Sequence, residues 1–491
     1  MDWHGQGIAA ARAGRLDEAV ALLRHAVKAA PKDAGVHADL GLTLARQSDW
    51  PAAQAALSRS LELAPRHSAA RLNLANVLRK MGNDDAARDQ LEQLLRRDPH
   101  HAPARFNLGN LLKDHQDWSA AEAQYRQALL ANPDHQEAAH GLGNMLLQQN
   151  RLEEAVATLQ KTAKASPRPA AWHDLGNVYR AAGQWADARA AYCQALNLKP
   201  DFALSRYVLG TLDLQEGNWH EGWQGYEMRF EALGRPLPKS RLLRWRGEVV
   251  HRSAALLVYP EQGLGDLIQF ARFLPQLRER FGRVAMVCPS SLLRLFQASF
   301  PDIAFLARAE DETGFSHFIP MMSLGALLGI TEASLDGRPY LLAGESSALS
   351  VNGLKVGLAW TGSPAQADNR WRSIPFDELA PFWHTPGVAW FSLQYGVEAD
   401  APLRKLPDGD FADTAALISQ LDLVLTVCTS IAHLAGGLGR PVWLMSRFDA
   451  DWRWQNERVD SPWYGSLRIY RQSQRAQWGG LIADVQRGLG T

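Results

Sequence analysis

Through the first 234 residues, small and bulky apolar positions return with a fixed period. Prolines stand at Pro31, Pro65, Pro99, Pro133, Pro167 and Pro200, in steps of 34, 34, 34, 34 and 33 residues. Two series of small residues keep the same phase: Gly41, Ala75, Gly109, Gly143, Gly176 and Gly210, and Ala19, Ala53, Ala87, Ala121, Ala155 and Ala188. A bulky residue falls four positions after each of these alanines: Leu23, Leu57, Leu91, Tyr125, Leu159 and Tyr192. The spacing predicts pairs of antiparallel helices. Small residues let two helices approach, bulky ones fill the space between them, and proline stops the second helix because it has no N–H to donate. One pair cannot bury its own apolar face, so the pairs must stack. Six units and a degenerate seventh, at about residues 201–234, fill the first half.

After that the pattern changes. Gly234-Arg235-Pro236-Leu237-Pro238 breaks helix. Residues 235–252 read as a linker that docks the two halves, and Trp219, Trp223 and Trp245 read as core packing at the join. Short apolar runs then alternate with helical spacing. Strands are expected at Ala254 to Tyr259, Val284 to Cys288, Phe305 to Ala307 and Phe315 to Ile319, then at Lys355 to Trp360, Val388 to Leu393, Leu423 to Val427 and Pro441 to Met445. Helices are expected between them, at Leu267 to Leu274, Ser290 to Gln297, Asp413 to Gln420 and from Thr429 onward. Such alternation implies parallel sheets with helices on both faces. It divides the second half into lobes at 253–350 and 351–491.

Charge narrows the functional classes. Lys plus Arg is 52 and Asp plus Glu is 52, so no basic field marks a nucleic-acid binder. Cys193, Cys288 and Cys428 are widely spaced and form no CxxC pair, which argues against a disulfide framework or a structural zinc site. No basic segment followed by an apolar core opens the chain, and no apolar run approaches the ~20 residues that span a bilayer. The expectation is a cytoplasmic protein without direct membrane insertion.

The repeats resemble the tetratricopeptide repeat (TPR), most fully in the sixth unit: Trp172, Leu175, Gly176, Tyr179, Ala188, Tyr192, Ala195 and Pro200. Asn76, Asn110, Asn144 and Asn177 recur just after the small residue of successive first helices. Two readings stand for them. They form an amide ladder that grips an extended acceptor polypeptide, similar to that of O-linked N-acetylglucosamine transferases, or each bonds within its own hairpin.

From about residue 250 the chain resembles the heptosyltransferase-like glycosyltransferases of family 9, in the branch fused to TPRs. Three segments carry the likeness: Glu261-Gln262-Gly263-Leu264-Gly265-Asp266, Asp368-Asn369-Arg370-Trp371-Arg372-Ser373-Ile374-Pro375 and Cys428-Thr429-Ser430-Ile431-Ala432-His433-Leu434-Ala435-Gly436. The layout is also similar to bacterial flagellin glycosyltransferases. The resemblance implies a multidomain chain: an all-α TPR superhelix followed by an α/β fold of the GT-B type with two Rossmann-like lobes. It implies inverting transfer of a sugar from a nucleotide-sugar donor, without metal or other cofactor, to an acceptor hydroxyl on a protein recruited by the repeats.

Asp266 matches the family's catalytic base; the alternative is a helix cap. Gly263 and Gly265 would let backbone approach the ligand. Thr429 and Ser430 open a helix whose amides and dipole favour phosphate. Arg372, with Arg370 behind it, could neutralise diphosphate or lie on a solvated loop. His433 could touch phosphate or sugar, or be a core histidine, and Gln394 is a further candidate for nucleotide contact. Cys428 stands where the family commonly has aspartate, and a neutral thiol is a poor acceptor. That substitution leaves a second function open, a binding scaffold with a degenerate transferase domain. Asp449-Ala450-Asp451 has the form of a DxD metal motif but reads better as a loop with a helix cap.

Overall fold

A computed structural model describes residues 2–308, 312–345, 347–366, 369–396, 402–405 and 409–490. The repeat helices follow the sequence period. The second helix of each unit ends at Ala29, Leu63, Arg97, Ala131, Ala165 or Leu198, two residues before each periodic proline. A residue preceding proline is pushed out of the helical region, which fixes these ends. Within the hairpin Ala34–Arg46 and Trp50–Leu63, a Cβ on Gly41 would lie 2.6 Å from Leu57 Cγ, so only glycine allows this approach. Gly143 stands in the same relation to Leu159, at 2.4 Å. Three successive units begin their first helix with a histidine N-cap. Nδ1 of His67, His101 and His135 accepts from the amides of Ala70, Ala104 and Ala138 at 3.2, 3.2 and 3.3 Å.

The chain separates into two compact units, residues 1–179 and 180–491. The helices Trp185–Leu198, Ala203–Glu216, Trp219–Tyr226 and Arg229–Ala232 therefore go with the α/β half, although their sequence is of repeat type.

The first sheet contains β1 (Leu243–Arg244), β2 (Ala255–Tyr259), β3 (Arg283–Val287), β4 (Ala304–Leu306) and β5 (His317–Pro320) in the order β1-β5-β2-β3-β4. The second contains β6 (Leu354–Ala359), β7 (Val388–Ser392), β8 (Leu403–Lys405), β9 (Leu423–Thr426), β10 (Val442–Ser446) and β11 (Leu467–Arg471) in the order β11-β10-β9-β6-β7-β8. All pairings within both sheets are parallel. In register, Leu257 lies between Ala285 and Phe318, and Leu358 between Ser392 and Leu425. Helices pack on the sheets and bury the central strands, whose residues are almost wholly apolar. Within residues 235–252, expected as a linker, Leu243–Arg244 forms β1 and joins the edge of the first sheet.

Each sheet reverses its winding once. The chain leaves β2 toward β3 and β4, then returns to β5 on the other side of β2. It leaves β6 toward β7 and β8, then returns to β9 on the other side of β6. Crevices form beyond the carboxyl ends of strands at such points, here between β2 and β5 and between β6 and β9.

The tryptophans at the join are core residues. Trp223 covers Gly325, whose Cβ would lie 2.6 Å from the indole, and its Nε1 donates to the Ile330 carbonyl at 2.7 Å. It also meets Trp452 edge-on at 5.3 Å, while Trp219 lies 6.0 Å from Trp463.

Candidate functional site

The crevice between β6 and β9 is polar. The amides of Trp360 and Thr361, just past β6, donate to Gln394 Oε1 at 3.2 and 3.0 Å. Gln394 thereby ties the end of β7 to the end of β6. Arg372, on the short helix Asn369–Arg372, spans the mouth. Its Nε donates to Asn369 Oδ1 at 3.1 Å and its Nη1 to the Cys428 carbonyl at 3.3 Å. The guanidinium lies directly over Gly362, where a Cβ would overlap it. Thr361 and Ser373 share a hydroxyl bond of 2.8 Å. Across the crevice, β9 turns into the helix Ser430–Gly437. Thr429 caps it, its Oγ1 accepting from the Ile431 amide at 3.3 Å. Thr361, Gly362, Arg372, Gln394, Thr429 and Ser430 are all partly exposed over a buried floor. A guanidinium, several hydroxyls and a helix start in one place suit an anionic oxygen-rich ligand. Asp368 lies outside the described residues. Arg370 rests its guanidinium 4.3 Å from the Trp371 ring.

The first lobe brings its own helix start to this place. Gly263 precedes the helix Leu264–Ala271, and its amide donates to Asp266 Oδ2 at 2.8 Å. Asp266 therefore does cap the helix. Its other oxygen meets Arg453 Nη2 at 2.5 Å. Arg453 also donates to Asp451 Oδ1 at 2.8 Å and to Gln269 Oε1 at 2.7 Å. Burial pushes the Asp266 carboxyl above the ordinary aspartate value, and the Arg453 guanidinium pulls it the other way. Gly265 packs on the second lobe, with its Cβ position 3.0 Å from His433 Cδ2 and 3.2 Å from Ser430 Cα. The glycine-started and threonine-started turns are in contact at this point.

His433 is buried. Nδ1 lies 2.9 Å from the Tyr464 hydroxyl, and the ring stacks on Trp454 at 5.3 Å. Burial pushes its pKa down to about 3, so the ring stays neutral. The Cys428 thiol accepts from Trp454 Nε1 at 3.0 Å, and burial raises its pKa. Asp451 caps the turn Trp452–Trp454, accepting from the Arg453 amide at 3.1 Å, and Asp449 faces Arg447 at 3.3 Å. Among the described residues no group of three His, Cys, Asp or Glu is placed to hold a metal ion, and no helix is long and apolar enough to cross a membrane.

Arg453 was not anticipated from the sequence, although Trp452-Arg453-Trp454 follows the DxD-like segment directly. Its partner Asp266 is 187 residues away in the chain, and no local spacing signals such a pair. In the repeats, Asn76, Asn110, Asn144 and Asn177 occupy equivalent half-buried positions. Asn110 Oδ1 accepts from the Tyr125 hydroxyl at 2.8 Å, a bond within its own hairpin.

A second cleft, of about 1220 Å³, opens beyond β2 and β3. Its described lining runs from Arg229 to Thr313 and includes Tyr259, Glu261 and Gln262. Through Glu261 and Gln262 it touches the turn that leads to Asp266.

Tetratricopeptide-repeat families match residues 3–34, 44–108, 106–168 and 176–216. The N-terminal part of the chain is built of tetratricopeptide repeats. Repeats of this kind support a protein-binding role. Protein FlbA of Caulobacter vibrioides is 26% identical over 421 residues, covering 69% of this chain and 70% of that protein. That alignment is longer than the repeat region and so extends into the α/β half. Among solved structures, Pseudomonas aeruginosa PilF is 17% identical, covering 41% of this chain and 93% of its own, with a TM-score of 0.37. A tetratricopeptide repeat protein from Parabacteroides merdae is 18% identical, covering 48% and 93%, with a TM-score of 0.40.

Proposed function

We propose that the α/β half is a glycosyltransferase of the GT-B type, acting on a protein acceptor recruited by the repeats. The observation that carries this reading is the crevice between β6 and β9, with Arg372 over Gly362 on one side and the Thr429-capped helix on the other. It suits the diphosphate of a nucleotide sugar. Asp266 takes the proton of the acceptor hydroxyl. The oxygen attacks the anomeric carbon, the bond to diphosphate breaks on the opposite face, and the leaving charge falls to Arg372 and the helix start. A carboxyl raised by burial is a stronger base than an exposed aspartate, and one ionised oxygen retains lone pairs beside Arg453. The family resemblance adds flagellin as a candidate acceptor.

Calorimetric titration with nucleoside diphosphates tests the crevice. Arg372→Ala weakens binding roughly 10- to 100-fold, as expected for a charge-assisted contact. Equal affinity in the variant would remove the crevice from consideration. A second reading is favoured by one pairing, Arg453 on Asp266, and the family resemblance adds Cys428 where an aspartate is common. In that reading the half binds nucleotide without transfer. Incubation with labelled nucleotide sugars separates the two, since a scaffold binds donor but releases no nucleoside diphosphate.

A further inference from the structure

The last helical hairpin reaches both turns of the candidate site with polar side chains. Arg229 is 2% exposed. Its Nε and Nη2 form a fork on Glu261 at 2.8 and 2.8 Å, Nη2 also donates to Ser323 Oγ at 2.8 Å, and Nη1 donates to Glu227 at 2.7 Å. Glu261 accepts in turn from the Met322 amide at 2.7 Å. One guanidinium thus joins the carboxyl ends of β2 and β5. Next to it, Gln262 holds a left-handed backbone at φ +63°, a conformation uncommon for a side-chain-bearing residue. Its Nε2 lies 2.7 Å from the hydroxyl of Tyr226, itself wholly buried. Four residues beyond Gln262 stands Asp266. On the other lobe, Gln215 donates to the Ala450 carbonyl at 3.0 Å and to Asn456 Oδ1 at 2.5 Å, bracketing the turn that carries Arg453. The Asp266–Arg453 pair closes the circuit.

We infer that Arg229, Tyr226 and Gln215 are positioning residues that fix the Asp266–Arg453 pair relative to the donor crevice. The last repeat is then part of the transfer machinery as well as the end of a docking array. The kinetic half of this inference rests on Asp266 being the base; the bracing itself does not. Arg229 and Tyr226 act on the first-lobe turn through Glu261 and Gln262. Gln215 acts on the second-lobe turn. None of them is placed to touch donor in the crevice between β6 and β9.

The test combines hydrogen exchange and steady-state kinetics on the full chain. In Tyr226→Phe, which removes one oxygen and keeps the ring, exchange over residues 260–270 speeds roughly tenfold while residues 1–179 are unchanged. Gln215→Met does the same for residues 448–456. The turnover number falls about 10-fold or more in both, as for a misplaced base, with KM for donor unchanged. Arg229→Met is the most severe; Arg229→Lys keeps the charge but loses the fork, and recovers only part. Unchanged exchange at 260–270 in folded Tyr226→Phe overturns the inference, and so does faster exchange spread evenly over 180–491. If the unaltered chain transfers no sugar, the reading of Asp266 has failed, and exchange alone decides the bracing.

Discussion

Two histidines give the two units opposite responses to pH. His433, neutral inside the second unit, has its pKa pushed down to about 3 by burial. Below the unfolded value of about 6.5 the unfolded chain takes a proton that the folded one refuses, so stability falls as pH drops from there toward 3. His140, in the first unit, is shifted the other way by its bond to Asp174 at 2.6 Å. A raised folded value gives stability that is present below the unfolded pKa and lost as pH rises through the folded one. Denaturant titrations from pH 8 to 4 are expected to show His433→Phe flattening the acid loss of the second unit. NMR titration is expected to show His140 losing its upward shift in Asp174→Asn. An unaltered pH slope in His433→Phe would mean that the ring is solvated.

At the scale of the element, caps and close approaches set what each helix tolerates. A histidine N-cap offers one ring nitrogen to the amide three residues on. Aspartate offers the same acceptor together with a charge that suits the helix start. His67→Asp or His101→Asp is expected to stabilise the first unit by about 0.5–1 kcal/mol. Gly143→Ala is expected to cost about 1–3 kcal/mol, because Leu159 already fills the space. Thermal melts of the two kinds of variant should move in opposite directions.

The same scale explains what was legible in the sequence. The central strands are continuous apolar runs because both faces are covered, and the repeat helices end where proline dictates. β1 and β8, at two and three residues, are too short to show a period. β11, Leu467-Arg468-Ile469-Tyr470-Arg471, mixes charge with apolar residues because it is an edge strand. In the candidate site, the glycine turn and the Thr429 helix start were readable because each is local. Arg453, Tyr464 and Arg229 were not, since each acquires its role through a partner far along the chain: Asp266, His433 and Glu261.

For the whole molecule, the division at 179/180 matters more than the change of composition at 234. A chain of residues 182–491 keeps Trp219 and Trp223 against Trp463, Trp452 and Gly325, and keeps Arg229 on Glu261. A chain of residues 235–491 exposes that apolar surface and strands the part-buried Glu261 carboxylate, a loss of at most about 3–5 kcal/mol for the broken pair alone. The longer piece is expected to be monomeric with a cooperative melt, the shorter one to aggregate or to bind hydrophobic dye. Cooperative melting of the shorter piece would show that the helices before residue 235 are dispensable.

That placement also bears on how such a chain can diversify. Repeats ahead of residue 180 can be duplicated, lost or exchanged without disturbing Tyr226, Arg229 or Gln215, because the hairpin bearing Gln215 and Tyr226, and the short helix bearing Arg229 after it, are welded to the sheets. The range of proteins the array binds can therefore drift by simple changes of its length, while the candidate site downstream stays as it was.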